Sequence, residues 1–372
     1  MDFRFTEEQT QIRDTLRRFL SENYTLERHR AIARGGSGCD PDIWRQFAEL
    51  GILGLGIPEA LGGMGGSAVD AMVVMEELGR ALVIDPYLTS VIVGAGLLAR
   101  AGDVTQQRLL PAIAAGETRV AFAHDEPGSR WMPDAVATRA TKDSQGWVLH
   151  GAKSAVSDGA GADFLLVSAR SDSGPSLFLV PGASPGLTRM ALAMHDGSSA
   201  AEVTLDGVRL GADALVGAEG GSLSLIEAAS DAAAAGLCAE AVGAMDALLT
   251  LTLDYIKTRR QFGVPIGSFQ VLQHRMADML LHAELARSMS YLASAKVSVD
   301  DAQERRRAIS AAKFLVGRSA RFVGQSAVQL HGGMGVTDEL ATAHYFKRLT
   351  VINSSFGDMA HHLERFETVM TA

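Results

Sequence analysis

Several short runs in this sequence have the spacing of chemistry-bearing motifs. Gly63-Met64-Gly65-Gly66-Ser67-Ala68 and Gly94–Ala99 both fit G-x-G-x-x-A, in which a glycine turn cradles a dinucleotide pyrophosphate at a helix N-terminus. That chemistry needs a strand before the glycines inside a βαβ unit, and neither run has one. Gly182-Ala183-Ser184-Pro185-Gly186 fits the nucleophile-elbow pattern, where the residue after the serine donates its backbone N–H to an oxyanion. Pro185 has no N–H to donate, which removes the hydrolase reading. His361 and His362 are adjacent on an expected helix, so they diverge and cannot ligate a metal as an i, i+4 pair. Cys39 and Cys238 each stand alone, with neither a disulfide framework nor a metal spacing.

The elements that must position any site follow from composition and punctuation. The chain has 372 residues, 47% hydrophobic and 21% charged, enough for two or three packed domains. Its net charge of -9 argues against nucleic acid as the main partner, because phosphate binding needs clustered Lys and Arg. The N-terminus has no apolar signal core, and the apolar stretches are broken by polar residues short of a membrane span. The expected location is the cytoplasm, with no nucleic-acid partner, no membrane span and no metal.

All ten prolines lie at or before Pro265, and nine at or before Pro185. Proline is costly inside helices, so long unbroken helices belong to the last third. Residues 1–118 read as short helices: a Thr6/Gln9 capping box, Asp40 before Pro41, and Ser67 with Asp70 each open one. Residues 119–218 carry short runs (Arg119–His124, Ala135–Ala140, Gly146–His150, Phe164–Ala169, Ser176–Val180, Glu202–Leu205) separated by Gly, Ser, Asp or Pro. No helix fits between them, which favours a β-barrel or sandwich over a parallel sheet. Residues 219–372 return to helix near 222–258, 268–298, 302–330 and 338–370, a four-helix bundle. The expectation is an α+β multidomain chain: N-terminal helical domain, middle β domain, C-terminal bundle.

That order resembles the acyl-CoA dehydrogenase family, and five segments match it in sequence. Pro58-Glu59 through Gly62-Gly63-Met64-Gly65 is similar to the family's P-E-x-x-G-G-x-G loop, and Ala121–Ser129 resembles its T-E-P-x-x-G-S segment, with His124 in place of the threonine. Lys153-Ser154-Ala155-Val156-Ser157 resembles K-x-W-I-T/S, with Ala155 replacing the tryptophan. Arg259-Arg260-Gln261-Phe262-Gly263-Val264-Pro265 through Gln270 resembles R-x-x-F-G-x-P-x-x-x-x-Q, and Gln329–Val336 resembles Q-x-x-G-G-x-G. The resemblance implies FAD as cofactor. Phe122, His124 and Ser157 would lie against the flavin ring, and Arg259 would fork onto the pyrophosphate. Phe262, Phe269 and Gln270 would serve the adenosine half. Gln329, Leu330, Gly332 and Gly333 would contact the FAD of a neighbouring subunit, and Ser355 would also contact the cofactor. Ser129 and Asp231 would touch the acyl-CoA substrate.

The family removes a proton beside a thioester carbonyl with a carboxylate base, in most members the glutamate of a Y-E-G-T motif, while the flavin takes a hydride. Counted from Lys347-Arg348, the matching position here is Asn353, which accepts no proton at neutral pH. The family's other base position, on the first long helix of the bundle, reads Asp231-Ala232-Ala233-Ala234-Ala235 and lacks the glutamate and the usual arginine. The expectation is therefore the base-lacking subunit of a heteromeric acyl-CoA dehydrogenase, similar to small subunits of pimeloyl-CoA-type enzymes and of steroid side-chain heterotetramers. An electron-transfer flavoprotein or similar acceptor would take the electrons. The alternatives are a homo-oligomer using Asp231 or Asp358 as base, a related flavoprotein oxidase or monooxygenase, and a non-catalytic structural partner.

Overall fold

The computed structural model describes residues 4–371. The chain divides into two compact units, one of residues 1–29, 72–83 and 234–372, the other of 30–71 and 84–233. In chain order the helices are α1 (Glu7–Asn23), α2 (Leu26–Gly35), α3 (Pro41–Glu49), α4 (Ala68–Arg80), α5 (Gly96–Ala101), α6 (Val104–Gln107) and α7 (Leu110–Ala114). Strands follow as β1 (Val120–Ala123), β2 (Arg139–Asp143), β3 (Gly146–Ser157), β4 (Phe164–Ser171), β5 (Gly174–Pro181), β6 (Leu187–Ala193), β7 (Ser199–Leu210) and β8 (Leu215–Val216). The chain then runs through α8 (Leu223–Thr258), a two-stranded hairpin of β9 (Arg260–Gln261) and β10 (Val264–Pro265), α9 (Gln270–Lys296), α10 (Ala302–His331), α11 (Ala341–Ser354) and α12 (Met359–Thr371). Helical, β and helical segments thus succeed one another as expected.

The predicted helix starts hold. Thr6 Oγ1 accepts the Gln9 N–H at 3.2 Å while Gln9 Oε1 accepts the Thr6 N–H at 3.0 Å, so two orphan donors of α1 are satisfied reciprocally. Asp40 accepts from the N–H groups of Asp42 and Ile43, with Pro41 at the first position of α3.

In the second unit the strands form one sheet, in the order β6-β7-β3-β2-β4-β5-β8, with β1 lying parallel to β4. Ala121, Leu149, Val167, Phe178, Val180, Val203 and Leu205, drawn from five strands, share a single core. A sheet whose strands bury their faces in one another must curl around that core, as the barrel expectation requires. The run expected at Ala135–Ala140 begins instead at Arg139. The Glu126 carboxylate takes the N–H groups of Ala137 at 2.8 Å and Thr138 at 3.0 Å, which would otherwise join the ladder. Strand β6 escaped the sequence reading because most of its residues are exposed or half-exposed and show no apolar alternation.

In the first unit α10 packs against α9, α11 and α12. The helix expected over 338–370 breaks in two, because Phe356 and Gly357 take φ of 52° and 99°. Helices α4 and α8 touch backbone to backbone. A Cβ on Gly79 would sit 2.0 Å from the Glu240 carbonyl oxygen, and one on Gly243 would sit 1.8 Å from that of Glu76. Charged side chains surround this crossing: Arg80 and Arg287 both reach Asp246 at 2.7 Å. Because the obstructing atoms are main chain, Gly243→Ala is expected to cost at least about 3 kcal/mol through forced separation of the helices. A urea midpoint within error of the parent would show that the crossing tolerates a methyl group. Among the described residues α8 is the one helix long and apolar enough to cross a membrane, but 78% of its apolar window is buried inside the protein.

Candidate functional site

In the first unit the structure places two of the predicted segments side by side. Tyr255, one turn before Arg259 on α8, stacks on His331 at the end of α10, with ring centroids 4.3 Å apart at 28°. The Tyr255 hydroxyl donates to the His331 carbonyl at 3.3 Å. His331 is itself fixed, with Nδ1 2.9 Å from the Ala327 carbonyl and Nε2 3.2 Å from Thr342 Oγ1. Neither Tyr255 nor His331 was singled out in the sequence. Both look like ordinary helix residues until α8 and α10 meet.

Arg259 is exposed, and its guanidinium has no side-chain partner among the described residues. The hairpin beyond it turns through Phe262 at φ 53° and Gly263 at φ 82°, a pair of left-handed residues suited to a two-residue turn. A phenylalanine in that conformation carries strain, and here its ring is 90% exposed and edge-on to Phe269 at 6.1 Å. Gln270 and Gln329 are also exposed, whereas the Leu330 side chain is buried in the helical packing and leaves only its backbone to offer. Around Gly332 and Gly333 an added Cβ would meet nothing within 4 Å, while at Gly335 it would strike the Val328 carbonyl oxygen at 2.8 Å. The first two glycines leave open space over the backbone, and the third is needed for packing.

The turn after α11 is held by buried groups. Lys313 Nζ donates to the carbonyls of Ile352 at 2.8 Å and Gly357 at 3.0 Å, and His362 Nε2 lies 2.9 Å from that of Phe356. Burial, with Lys313 nearby, pushes the His362 pKa down to about 2, so the ring stays a neutral donor. Asn353 lies inside the last turn of α11, and its Oδ1 is where a Cβ on Gly317 would fall, 2.3 Å away. The Ser355 hydroxyl donates to the Val351 carbonyl at 2.8 Å, and Asp358 caps α12 by accepting the His361 N–H at 2.8 Å.

In the second unit Phe122 and His124 project from the same side of β1, their rings stacked 5.6 Å apart at 11°. Ser129 Oγ accepts the Glu126 N–H at 3.2 Å and closes the turn after that strand. Ser157 is exposed at the end of β3, opposite Ala200. Ala155, where the family pattern has tryptophan, occupies an irregularity in the β3–β7 ladder with φ 49°. Asp231 is fully buried on α8. No group of three or more His, Cys, Asp or Glu residues that could hold a metal ion occurs among the described residues.

An FAD molecule asks for a cation at its pyrophosphate, flat apolar surface for its rings and open backbone nearby. Within the first unit Arg259, Phe262, Phe269, Gly332 and Gly333 offer these. The residues present fit the group.

Comparison with known proteins agrees. Models of the acyl-CoA dehydrogenase N-terminal, middle and C-terminal domains match residues 6–117, 121–208 and 223–366. The chain is 33% identical over 314 residues to acyl-CoA dehydrogenase FadE12 of Mycobacterium tuberculosis, covering 81% of this chain and 80% of that one. Among solved structures it is similar to a variant of the Tcur3481–Tcur3483 steroid ACAD, with 31% identity, a TM-score of 0.90 and 98% of both chains covered. It is likewise similar to the ChsE4–ChsE5 complex of Mycobacterium tuberculosis, with 27% identity, a TM-score of 0.90 and coverage of 100% and 99%. Three domain matches in register, supported by this identity along most of the chain, make the protein a member of the acyl-CoA dehydrogenase family, FAD-dependent oxidoreductases acting on acyl-CoA thioesters.

Proposed function

We propose that this chain is the base-lacking subunit of a heteromeric acyl-CoA dehydrogenase. The observation that carries the reading is the turn after α11. Gly357 is the only glycine between residues 341 and 372. It takes φ 99°, and a Cβ there would lie 2.5 Å from His361 Cδ2. On this reading the glycine of the family's Y-E-G-T motif corresponds to Gly357. The residue before it, in the place of the glutamate, is then Phe356 rather than Asn353, which belongs to the helix. Counting forward from Lys347-Arg348 gives Asn353 instead; the register read here moves the position three residues on, past the end of α11 at Ser354.

Phenylalanine has no proton to exchange, and the other two candidate carboxylates are engaged or enclosed: Asp358 caps α12, and Asp231 is fully buried. When bound, FAD supplies the hydride acceptor. This chain's own residues would bind and orient it, with Arg259 at the pyrophosphate, Phe262, Phe269 and Gln270 at the adenosine half, Phe122, His124, Ser157 and Ser355 near the ring, and Gln329, Leu330, Gly332 and Gly333 facing a neighbouring chain's cofactor. Ser129 and Asp231 remain the candidates for substrate contacts, and an electron-transfer flavoprotein the candidate acceptor.

A partner chain is supported by the apolar surface of the first unit. Val271, Leu280, Leu281, Met334 and Val336 are 47–67% exposed. The ChsE4–ChsE5 structure is, by its name, a complex of two chains. The test is a flavin spectrum of the chain purified alone and co-expressed with a second dehydrogenase subunit. Flavin that is bleached by acyl-CoA only in the co-purified complex is expected. Turnover by the single chain at about 1 to 1000 per second would sink the reading.

A further inference from the structure

His124 does not stand alone. Its Nδ1 lies 2.9 Å from Ser168 Oγ on β4. Behind both sits Lys153 of β3, fully buried, whose Nζ reaches three acceptors: the His124 carbonyl at 3.1 Å, Glu126 Oε1 at 2.6 Å and Ser168 Oγ at 2.9 Å. The donor count then settles the direction of every bond. An ammonium has three protons and no lone pair, so Ser168 Oγ accepts from Lys153. The serine has one proton left to give, and the contact left for it is His124 Nδ1. That nitrogen is therefore an acceptor, and the imidazole proton sits on Nε2.

The charges support this arrangement. Burial, with Lys153 close by, pushes the His124 pKa down to about 4, so the ring is neutral at pH 7. Burial also lowers Lys153 to about 8, against the pull of the Glu126 carboxylate, which leaves it charged at neutral pH. Burial would raise Glu126, but its bonds to Lys153 and Thr138 hold it below its ordinary value, so the counter-charge is in place. No described residue bonds His124 Nε2, and that atom is not sealed from solvent.

We propose that Lys153 and Ser168 are positioning residues that fix His124 as a neutral imidazole protonated on Nε2, a one-way hydrogen-bond donor to an acceptor atom of the flavin ring. The threonine of the resembling segment has a hydroxyl that can turn to donate or accept, whereas this histidine can only donate. A donor held against the ring favours its electron-rich, reduced form. The donor part of the inference rests on the reading above that β1 faces the cofactor, and the tautomer part does not.

Long-range proton–nitrogen spectra of histidine-labelled full-length chain, flavin-free and FAD-loaded, test both parts, with the partner present if FAD needs it. The flavin-free chain is expected to show His124 with a protonated Nε2 and a pyridine-like Nδ1. Ser168→Ala is expected to move the proton to Nδ1 or mix the two forms, and Ser168→Thr to restore the parent pattern. Loading with FAD is expected to shift the Nε2 proton downfield, and the bound flavin's reduction potential is expected to fall in Ser168→Ala. A parent His124 that is protonated on Nδ1 or on both nitrogens overturns the relay. An Nε2 proton unmoved by bound FAD overturns the donor role. Failure of every form to take up FAD would instead overturn the functional reading, while the flavin-free spectrum still decides the tautomer.

Discussion

Replacing Phe356 by glutamate is expected to make the chain bleach its flavin with acyl-CoA at least about 100-fold faster than the parent, whereas Asn353→Glu is expected to gain nothing. A positioned general base contributes about 100- to 10,000-fold, and the turn that would carry it is already built. Lys313 and His362 hold the carbonyls of Ile352, Phe356 and Gly357, so a new side chain at 356 inherits a fixed backbone. Asn353 has no such outlook, because its side chain lies against Gly317 inside the helical packing. The longer glutamate there would have to displace α10 or turn away. The measurement is anaerobic bleaching across a panel of acyl-CoA thioesters, in whichever form retains FAD, with the partner's own base replaced if the partner is present. A gain at 353 and none at 356 would restore the register counted from Lys347. Silence at both positions would mean that more than a base is missing.

The second large effect concerns stability. Lys153→Met is expected to cost about 3–5 kcal/mol, because it leaves the Glu126 carboxylate buried without its counter-charge. The lysine Nζ is fully enclosed and bonds Glu126 at 2.6 Å, so water cannot take its place. Loss of the ammonium also strips the His124 carbonyl and Ser168 Oγ of a donor. Glu126→Gln in the same chain removes the orphaned charge while its amide oxygen can still accept from Ala137 or Thr138. The double variant is therefore expected to be more stable than Lys153→Met alone. Urea midpoints of the four chains give the coupling directly. A Lys153→Met cost below about 1 kcal/mol would show that the pair sits in a wetter, more relaxed site than its burial indicates.

Much of the fold was legible because it depends on local signals. Thr6 with Gln9 and Asp40 with Pro41 open their helices as read, since a cap needs only residues three apart. The scarcity of proline beyond Pro185, with Pro265 alone after it, foretold the long helices α8, α9 and α10. The errors lie where distant groups overrode local pattern. Ala137 and Thr138 were read as strand, but a carboxylate eleven and twelve residues away takes their N–H groups. The stretch around Phe356 was read as continuous helix, although Ser354-Ser355-Phe356-Gly357-Asp358 carried a serine pair, a glycine and an acidic cap that together mark a stop.

The candidate site divides the same way. Arg259, Phe262, Gly332 and Gly333 could be found in the chain because binding a large planar phosphate-bearing group demands particular residue types at short spacing. Tyr255, His331, Lys313, His362 and Ser168 could not, because each acts only on a partner brought to it by packing. Whether a histidine donates or accepts depends on a serine 44 residues away and a lysine 29 residues away. Residue types and their spacing were enough for the family and the cofactor class. Packing adds where α11 ends, at Ser354, and that Ser168 and Lys153 meet His124 at its Nδ1 and its carbonyl. Motif identity is written in residue types at short range, whereas the direction of a hydrogen bond and the end of a helix are set by groups that meet only after the chain has folded.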